Sequence, residues 1–274
     1  MKVDGAGLNP VDYKIRKGEA KPFLPKSLPA ITLREFSGVV TKLGSEVEDC
    51  QIGDEVYGIT EVGAAAEYTV AKVSAIGPRP PSMDPADAAL VPLACMTAWQ
   101  ALIDHGNVQA GERVLIHGAS GGVGSYAVQI AKWKGAYVIG TASADHFGLM
   151  RELGVDELID YHNERFEHKV SDVDLVLHSI GQKEVEASLS VLNKGGRLVA
   201  ISAQPDEQKA EEEGKTAVRF MMQPSSDQLR QISGLIEDLK IRPVVDTVLP
   251  FERAVEAMAE LENGHTVGKI GIRM

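Results

Sequence analysis

Residues 113–124 read RVLIHGASGGVG. Val114, Leu115 and Ile116 make a short apolar run with two β-branched members, the pattern of a strand covered on both faces. The chain then turns through Gly118, Gly121, Gly122 and Gly124 into SYAVQIAKWKGA, whose spacing is helical. Val123, Ala127, Ile130 and Ala131 are expected on one face of that helix. Strand, glycine turn, helix is how a doubly wound α/β domain offers backbone N–H groups and a positive helix end to a dinucleotide diphosphate. The competing reading is a tight turn that binds nothing. Ala119 stands where the first fingerprint glycine belongs, so the flanking pattern must decide.

That pattern is repetitive on the C-terminal side. Strands are expected at 113–117, 137–141, 157–160, 175–178 and 197–201, with helices between them, which predicts right-handed crossovers and a mainly parallel sheet. On the N-terminal side, 1–7 reads as the end of a strand entering a turn at Asn9-Pro10, and 17–29, with Pro22, Pro25 and Pro29, reads as a loop. SGVVTKLG, IGDEVYGIT and AAEYTVA then suggest three short strands of a small, partly open β barrel. A proline-rich connector spans 78–87, and a helix is expected over 85–105. Past the parallel sheet, the acidic run 206–214 reads as a solvated face. Helices are expected at 225–239 and 251–262, with a strand at 242–249 returning to the β unit. The domains are therefore 1–95 with 224–274, and 96–223.

The chain has 274 residues, 44% of them hydrophobic and 24% charged, as in a globular protein with a sizeable core. A formal net charge of −11 argues against nucleic acid or an anionic membrane as partner. No apolar run is long enough to cross a bilayer and no signal-peptide pattern opens the chain, so a cytoplasmic location is expected. Cys50 and Cys95 lack CxxC spacing, which disfavours structural zinc and a disulfide framework.

Several stretches together resemble the medium-chain dehydrogenase/reductase superfamily, in particular its zinc-free quinone oxidoreductase (zeta-crystallin-like) branch. They are AGLNPVDYKIRKG from Ala6, FSGVVTKLGSEVEDCQIGDEVYG from Phe36, PLACMTAWQAL from Pro92 and GERVLIHGASGGVGSYAVQIAK from Gly111, with TAS from Thr141, LGVDELIDY from Leu153 and NGHTVGKI near the end. The resemblance implies a GroES-like β domain, here expected without its first strands, followed by a Rossmann dinucleotide domain, with the C-terminal tail rejoining the first domain. It also implies a homodimer through an edge of the cofactor-domain sheet. At the metal-ligand positions of the zinc-dependent relatives this chain has Asn9, Arg34 and, at about the third, Leu93. None is a zinc ligand, so no metal is expected.

Ala119, Ser120, Gly121, Gly122 and Val123 are expected to cradle the diphosphate. Gly140-Thr141-Ala142-Ser143 offers no carboxylate for a ribose 2′-OH, whereas Ser143 offers a hydroxyl to a 2′-phosphate, which favours NADP(H). Asp145, where relatives often have a basic residue, opposes that preference. The resemblance adds Tyr161 at the 2′-phosphate, Thr97 near the nicotinamide and Lys269 at the ribose or phosphate. Ser179, Gly181 and Ile201 follow strands four and five, where such sheets bind ligands. Asn9, Tyr13 and Lys14 are the expected catalytic residues, Asn9 to donate to the substrate carbonyl or the nicotinamide ribose and either of the others to supply a proton. His105, His117 and His178 read as structural, with no serine or carboxylate partner in the sequence spacing.

The expected activity is zinc-independent, NADPH-dependent hydride transfer to quinones or α,β-unsaturated carbonyl compounds. The rival readings are a catalytically silent dinucleotide-binding protein and a zinc-free alcohol dehydrogenase or enoyl-thioester reductase.

Overall fold

The computed structural model describes residues 1–22, 27 and 29–274, so part of the expected 17–29 loop lies outside the described residues. The chain divides into two compact units, Met1–Met96 with Gln223–Met274, and Thr97–Met222. Four strands come first: β1 (Lys2–Gly7), β2 (Glu35–Val39), β3 (Glu55–Ile59) and β4 (Ile76–Pro78). Six build the second unit: β5 (Arg113–Ile116), β6 (Tyr137–Ala142), β7 (Glu157–Asp160), β8 (Val173–His178), β9 (Leu192–Ala200) and β10 (Thr216–Arg219). Two close the chain, β11 (Val245–Pro250) and β12 (Lys269–Arg273). No helix of the described residues is long and apolar enough to cross a membrane.

The first unit is a six-stranded sheet ordered β11-β12-β1-β2-β3-β4. Among the described residues only β11 and β12 of this sheet run parallel, and its other neighbouring pairs are antiparallel. The returning tail therefore pairs with β1, which is sandwiched between β12 and β2. Val3, Ala6, Leu8, Phe36, Val56, Ile270 and Ile272 are buried together in this unit's core. The Tyr57 hydroxyl donates to the Leu229 carbonyl (2.7 Å) and the Ser233 hydroxyl to that of Pro78 (2.6 Å), tying the helix Ser226–Glu237 to β3 and β4.

Three local expectations are corrected here. AAEYTVA is not a strand: it makes one isolated bridge, Lys2 with Tyr68, in which Val3 N donates to the Glu67 carbonyl (2.9 Å) and Thr69 N to that of Met1 (3.0 Å). The Thr69 hydroxyl donates to the Gly63 carbonyl (2.7 Å), leaving Tyr68 and Val70 exposed. Asn9-Pro10 is not a simple turn but a helix start, with Asn9 as N-cap and Pro10 at the first position of Pro10–Arg16. Proline is suited there because its missing N–H would have had no partner. The single helix expected over 85–105 is instead broken into Pro85–Ala88 and Pro92–Trp99, followed by the wider turn Gln100–His105. Pro92 cannot donate to the preceding turn and so opens a new helix.

The second unit is an all-parallel sheet ordered β10-β9-β8-β5-β6-β7, with β5 in the middle. Its sixth strand, β10, was not expected, since four residues behind an acidic run carry little periodicity. That run forms the helix Glu207–Glu212, capped by the Asp206 carboxylate accepting from Lys209 N at 3.0 Å. The helix Gly122–Trp133 is buried at every position from Gly124 to Ala131, so the expected one-sided burial widens to the whole circumference.

Candidate functional site

In the second unit, the strand carboxyl ends gather the expected cofactor residues. Gly118 turns the chain with φ 60°. The Ala119 N–H then donates to the Thr141 carbonyl (2.9 Å), and the Gly118 N–H to the Thr141 hydroxyl (3.1 Å). This stitches the glycine turn to the end of β6. A Cβ on Gly124 would lie 2.1 Å from the Gly118 carbonyl oxygen, so the turn closes this tightly only with glycine there. Gly121 caps the helix Gly122–Trp133 and makes no side-chain cap hydrogen bond. Its first N–H groups and positive dipole end are thus presented as an anion site requires.

Around that turn, Ser179 donates its hydroxyl to the His117 carbonyl (2.6 Å), and Ile201 N donates to the His178 carbonyl (3.1 Å). Ser120, Gly121, Gly122 and Val123 are half-buried, and Gly181 is exposed. Ser143 is half-buried and does not cap the following turn, while Tyr161 is 56% exposed and leans on His162. Asp160, beside Tyr161, accepts from Asn163 Nδ2 (2.6 Å) and His162 N (3.2 Å), and these bonds, the Asn163 one foremost, hold its carboxyl below the usual range. Thr97 is buried within Pro92–Trp99 rather than at its start.

Lys269 belongs elsewhere. On β12 of the first unit it is 3% exposed, and its ammonium contacts the Leu8 carbonyl (2.8 Å), Asn9 Oδ1 (2.5 Å) and Glu35 Oε1 (2.6 Å). Three protons meet three acceptors, so the expected contact from Lys269 to a coenzyme ribose or phosphate is replaced by an internal ion pair. Glu35, 0% exposed, also accepts from Asn9 Nδ2 (2.7 Å) and Leu93 N (2.8 Å). Asn9 and Leu93, two of the three positions compared with a metal site, thus converge on one carboxylate, with Arg34 next to it in sequence.

Asn9 is buried, and its amide is oriented by opposite partners: Lys269 donates to Oδ1, and Nδ2 donates to Glu35. Because the side chain is committed there, it makes no cap to its own helix. Asp12 closes that corner by accepting the Asn9 N–H at 2.8 Å, while its other oxygen, Oδ1, is buried without a partner among the described residues. Tyr13 is half-buried with the Lys17 ammonium 5.2 Å from its ring centre, and Lys14 is exposed.

The sequence reading missed Glu35 and Asp12. Each is an acidic residue among other polar and charged ones, which no local pattern sets apart. It also missed Ser188, which the two buried histidines share: His117 Nε2 lies 3.0 Å and His178 Nδ1 3.1 Å from its hydroxyl. The serine partner not found in the spacing comes from a distant helix.

Burial pushes the Asp12 carboxyl from 3.8 up to about 7. The folded chain therefore holds a proton that the unfolded chain has released, and this contribution to stability is full below 3.8 and fades as pH rises through about 7. Urea denaturation across that window should show wild-type stability falling with pH, with a flatter profile for Asp12→Asn. Parallel profiles would place the titration on another group.

Known proteins resemble the chain along its length. The model of the alcohol dehydrogenase GroES-like domain matches residues 1–81, and that of the zinc-binding dehydrogenases matches 153–270. The NADPH-dependent alkenal/one oxidoreductase of Arabidopsis thaliana is 35% identical over 98% of this chain and 70% of its own length. The 2-methylene-furan-3-one reductase of Solanum lycopersicum is 33% identical over 99% and 70%. The structure of the quinone oxidoreductase from Coxiella burnetii superimposes with a TM-score of 0.89 at 33% identity, covering 100% of this chain and 89% of that one. With a GroES-like unit, a parallel dinucleotide-type sheet and relatives of this kind across nearly all its residues, the chain belongs to the medium-chain dehydrogenase/reductase superfamily, in its quinone oxidoreductase branch.

Proposed function

We propose that the protein is a zinc-independent, NADPH-dependent reductase of quinones or α,β-unsaturated carbonyl compounds. The observation that carries the reading is the 118–124 turn, where a helix N-terminus free of side-chain caps meets a loop that only glycine can close. A dinucleotide diphosphate suits that end electrostatically. When bound, the reduced dinucleotide supplies the hydride. Ala119, Ser120, Gly121, Gly122 and Val123 would hold the diphosphate. Ser143 and Tyr161 would receive the 2′-phosphate, since the nearby Asp160 carboxylate is already taken by Asn163 and His162.

The donor chemistry of the first unit supports zinc independence. An asparagine, an arginine and a leucine do not suit zinc, and the Glu35 carboxylate is filled by Lys269, Asn9 and Leu93. An acceptor already electron-poor needs no Lewis acid, only orientation and a proton. Asn9 would orient the carbonyl with the amide proton that it does not give to Glu35, and Tyr13, better sheltered than Lys14, would supply the proton. The proposal includes a homodimer, which light scattering tests. It also includes a reducing, cytoplasmic compartment, in keeping with two buried free cysteines.

Absorbance at the nicotinamide band tests the reading directly. Consumption of NADPH with quinones or enones, faster than of NADH and unaffected by a zinc chelator, is the expected result. Turnover of alcohols or enoyl thioesters instead would replace the substrate class. Coenzyme binding without consumption across all panels would make the protein a silent binder.

A further inference from the structure

The second unit buries two histidines that the proposed chemistry does not use. His117, His178 and Ser188 are each 0% exposed. The Ser188 hydroxyl lies 2.8 Å from the Glu184 carbonyl, 3.0 Å from His117 Nε2 and 3.1 Å from His178 Nδ1. A hydroxyl has one proton and a carbonyl can only accept, so a bond to Glu184 requires both rings to donate to Ser188. His117 then accepts at Nδ1 from the Thr141 hydroxyl, 3.4 Å away, which itself accepts the Gly118 N–H. That side closes with a neutral ring.

The other side does not. With its proton on Nδ1, a neutral His178 would turn the lone pair of Nε2 toward the Gly181 carbonyl oxygen, 3.0 Å away. Two lone pairs make no bond. Either His178 carries a second proton, or Ser188 turns its own proton from Glu184 to His178 Nδ1 and the ring keeps its proton on Nε2. The network thus has two complete or nearly complete arrangements that differ by one proton, and a hydroxyl that rotates between them.

Few charges face the ring. Glu184, at the end of the turn Gln182–Glu184, favours the charged form, and His117 across from it is neutral, pushed down to about 3 by burial. Burial lowers His178 as well, while the Gly181 carbonyl and Glu184 act in the opposite direction. Lys183 and Glu186 are exposed, and Glu186 is paired with Lys209. Arg113 and Asp174 sit at the far ends of β5 and β8, as does Arg197 near the start of the β9–β10 ladder. From the neighbouring turn Phe166–His168, it is the apolar Phe166 ring that packs on His117.

We propose that His178 is a proton-binding site linked to dinucleotide binding: neutral in the free chain, it takes up a proton when a diphosphate occupies the 118–124 turn, and the Ser188 hydroxyl turns from His178 Nδ1 to the Glu184 carbonyl to admit it. This rests on the reading of that turn as the dinucleotide site. The sign follows from charge: an anion at the turn stabilises an imidazolium in the same buried network. Loops 117–121 and 179–181 are the two ends of the chain of hydrogen bonds, which places His178 in the same network as the turn.

Calorimetric titration of the full chain with NADPH, in two buffers of different ionisation heat, counts the protons exchanged. The coenzyme's own 2′-phosphate titrates near pH 6, so the difference between wild type and His178→Gln is what is read. Wild type should take up more protons than His178→Gln. Its Kd should also tighten more steeply on acidification, with at most about tenfold per pH unit attributable to one linked proton. Equal uptake and equal slopes in the two proteins would overturn the proposal. Ring ¹⁵N shifts of the free chain provide the second arm: a neutral His178 protonated on Nε2 is expected, and a ring protonated on Nδ1 alone would overturn it. If NADPH fails to bind at all, the dinucleotide reading falls and the linkage with it, whereas the ¹⁵N arm still decides whether Ser188 and His178 form the two-state network.

Discussion

Lys269→Met should destabilise the folded chain by about 3–5 kcal/mol, the range for removing one partner of a buried ion pair. Lys269 and Glu35 are 3% and 0% exposed at their side chains. Removing the ammonium leaves the Glu35 carboxylate with only the Asn9 and Leu93 N–H groups, and also strands the Leu8 carbonyl and Asn9 Oδ1. The methionine fills much of the lysine stem's volume, so the loss is electrostatic rather than a cavity. Adding Glu35→Gln removes the unpaired charge and should restore part of the stability, because the desolvation of Glu35 is then no longer unopposed. Denaturant midpoints followed by far-UV circular dichroism decide the matter. A loss under about 1 kcal/mol, the worth of a solvent-exposed pair, would mean that the interaction is not buried in solution.

Gly122→Asp should weaken NADPH binding by about 100-fold or more, close to 2.7 kcal/mol. Gly122 is the first residue of its helix, half-buried, at the end where the backbone N–H groups remain uncapped. A carboxylate there would place negative charge and bulk against the coenzyme diphosphate. The same carboxylate suits the helix itself: an acidic residue in the first turn stabilises a helix by roughly 0.3–1 kcal/mol. Binding and stability should therefore move in opposite directions, which separates a lost site from a lost fold. Unchanged affinity by calorimetry would remove the diphosphate from this turn.

Local pattern carried the dinucleotide unit a long way. Short apolar runs alternating with helical spacing mark β5 to β9, because a strand covered on both faces is largely apolar. Glycines at 118, 121, 122 and 124 mark the turn, in which Gly118 takes a positive φ and Gly124 leaves no room for a Cβ. The motifs in order, from AGLNPVDYKIRKG to NGHTVGKI, were enough to name the family. Where pattern was weak, as in AAEYTVA or β10, the reading failed: alternation describes a surface that can pair, and whether a partner strand lies alongside is decided by the rest of the chain.

What only tertiary structure decided is which polar groups meet. Lys269 reaches Asn9 across 260 positions and Glu35 across 234, and His117 reaches Ser188 across 71. No periodicity encodes such pairings, since hydrophobic pattern reports which face is buried and says nothing of the hydrogen-bond partner waiting there. The sequence by itself thus determined the architecture and the glycine turn. Folding determined that a lysine at the end of the chain is spent on a carboxylate, that one asparagine amide has a single orientation, and that two histidines share one hydroxyl. The physical reason is that a buried charge or lone pair must find its complement wherever the chain places one, at whatever distance in sequence.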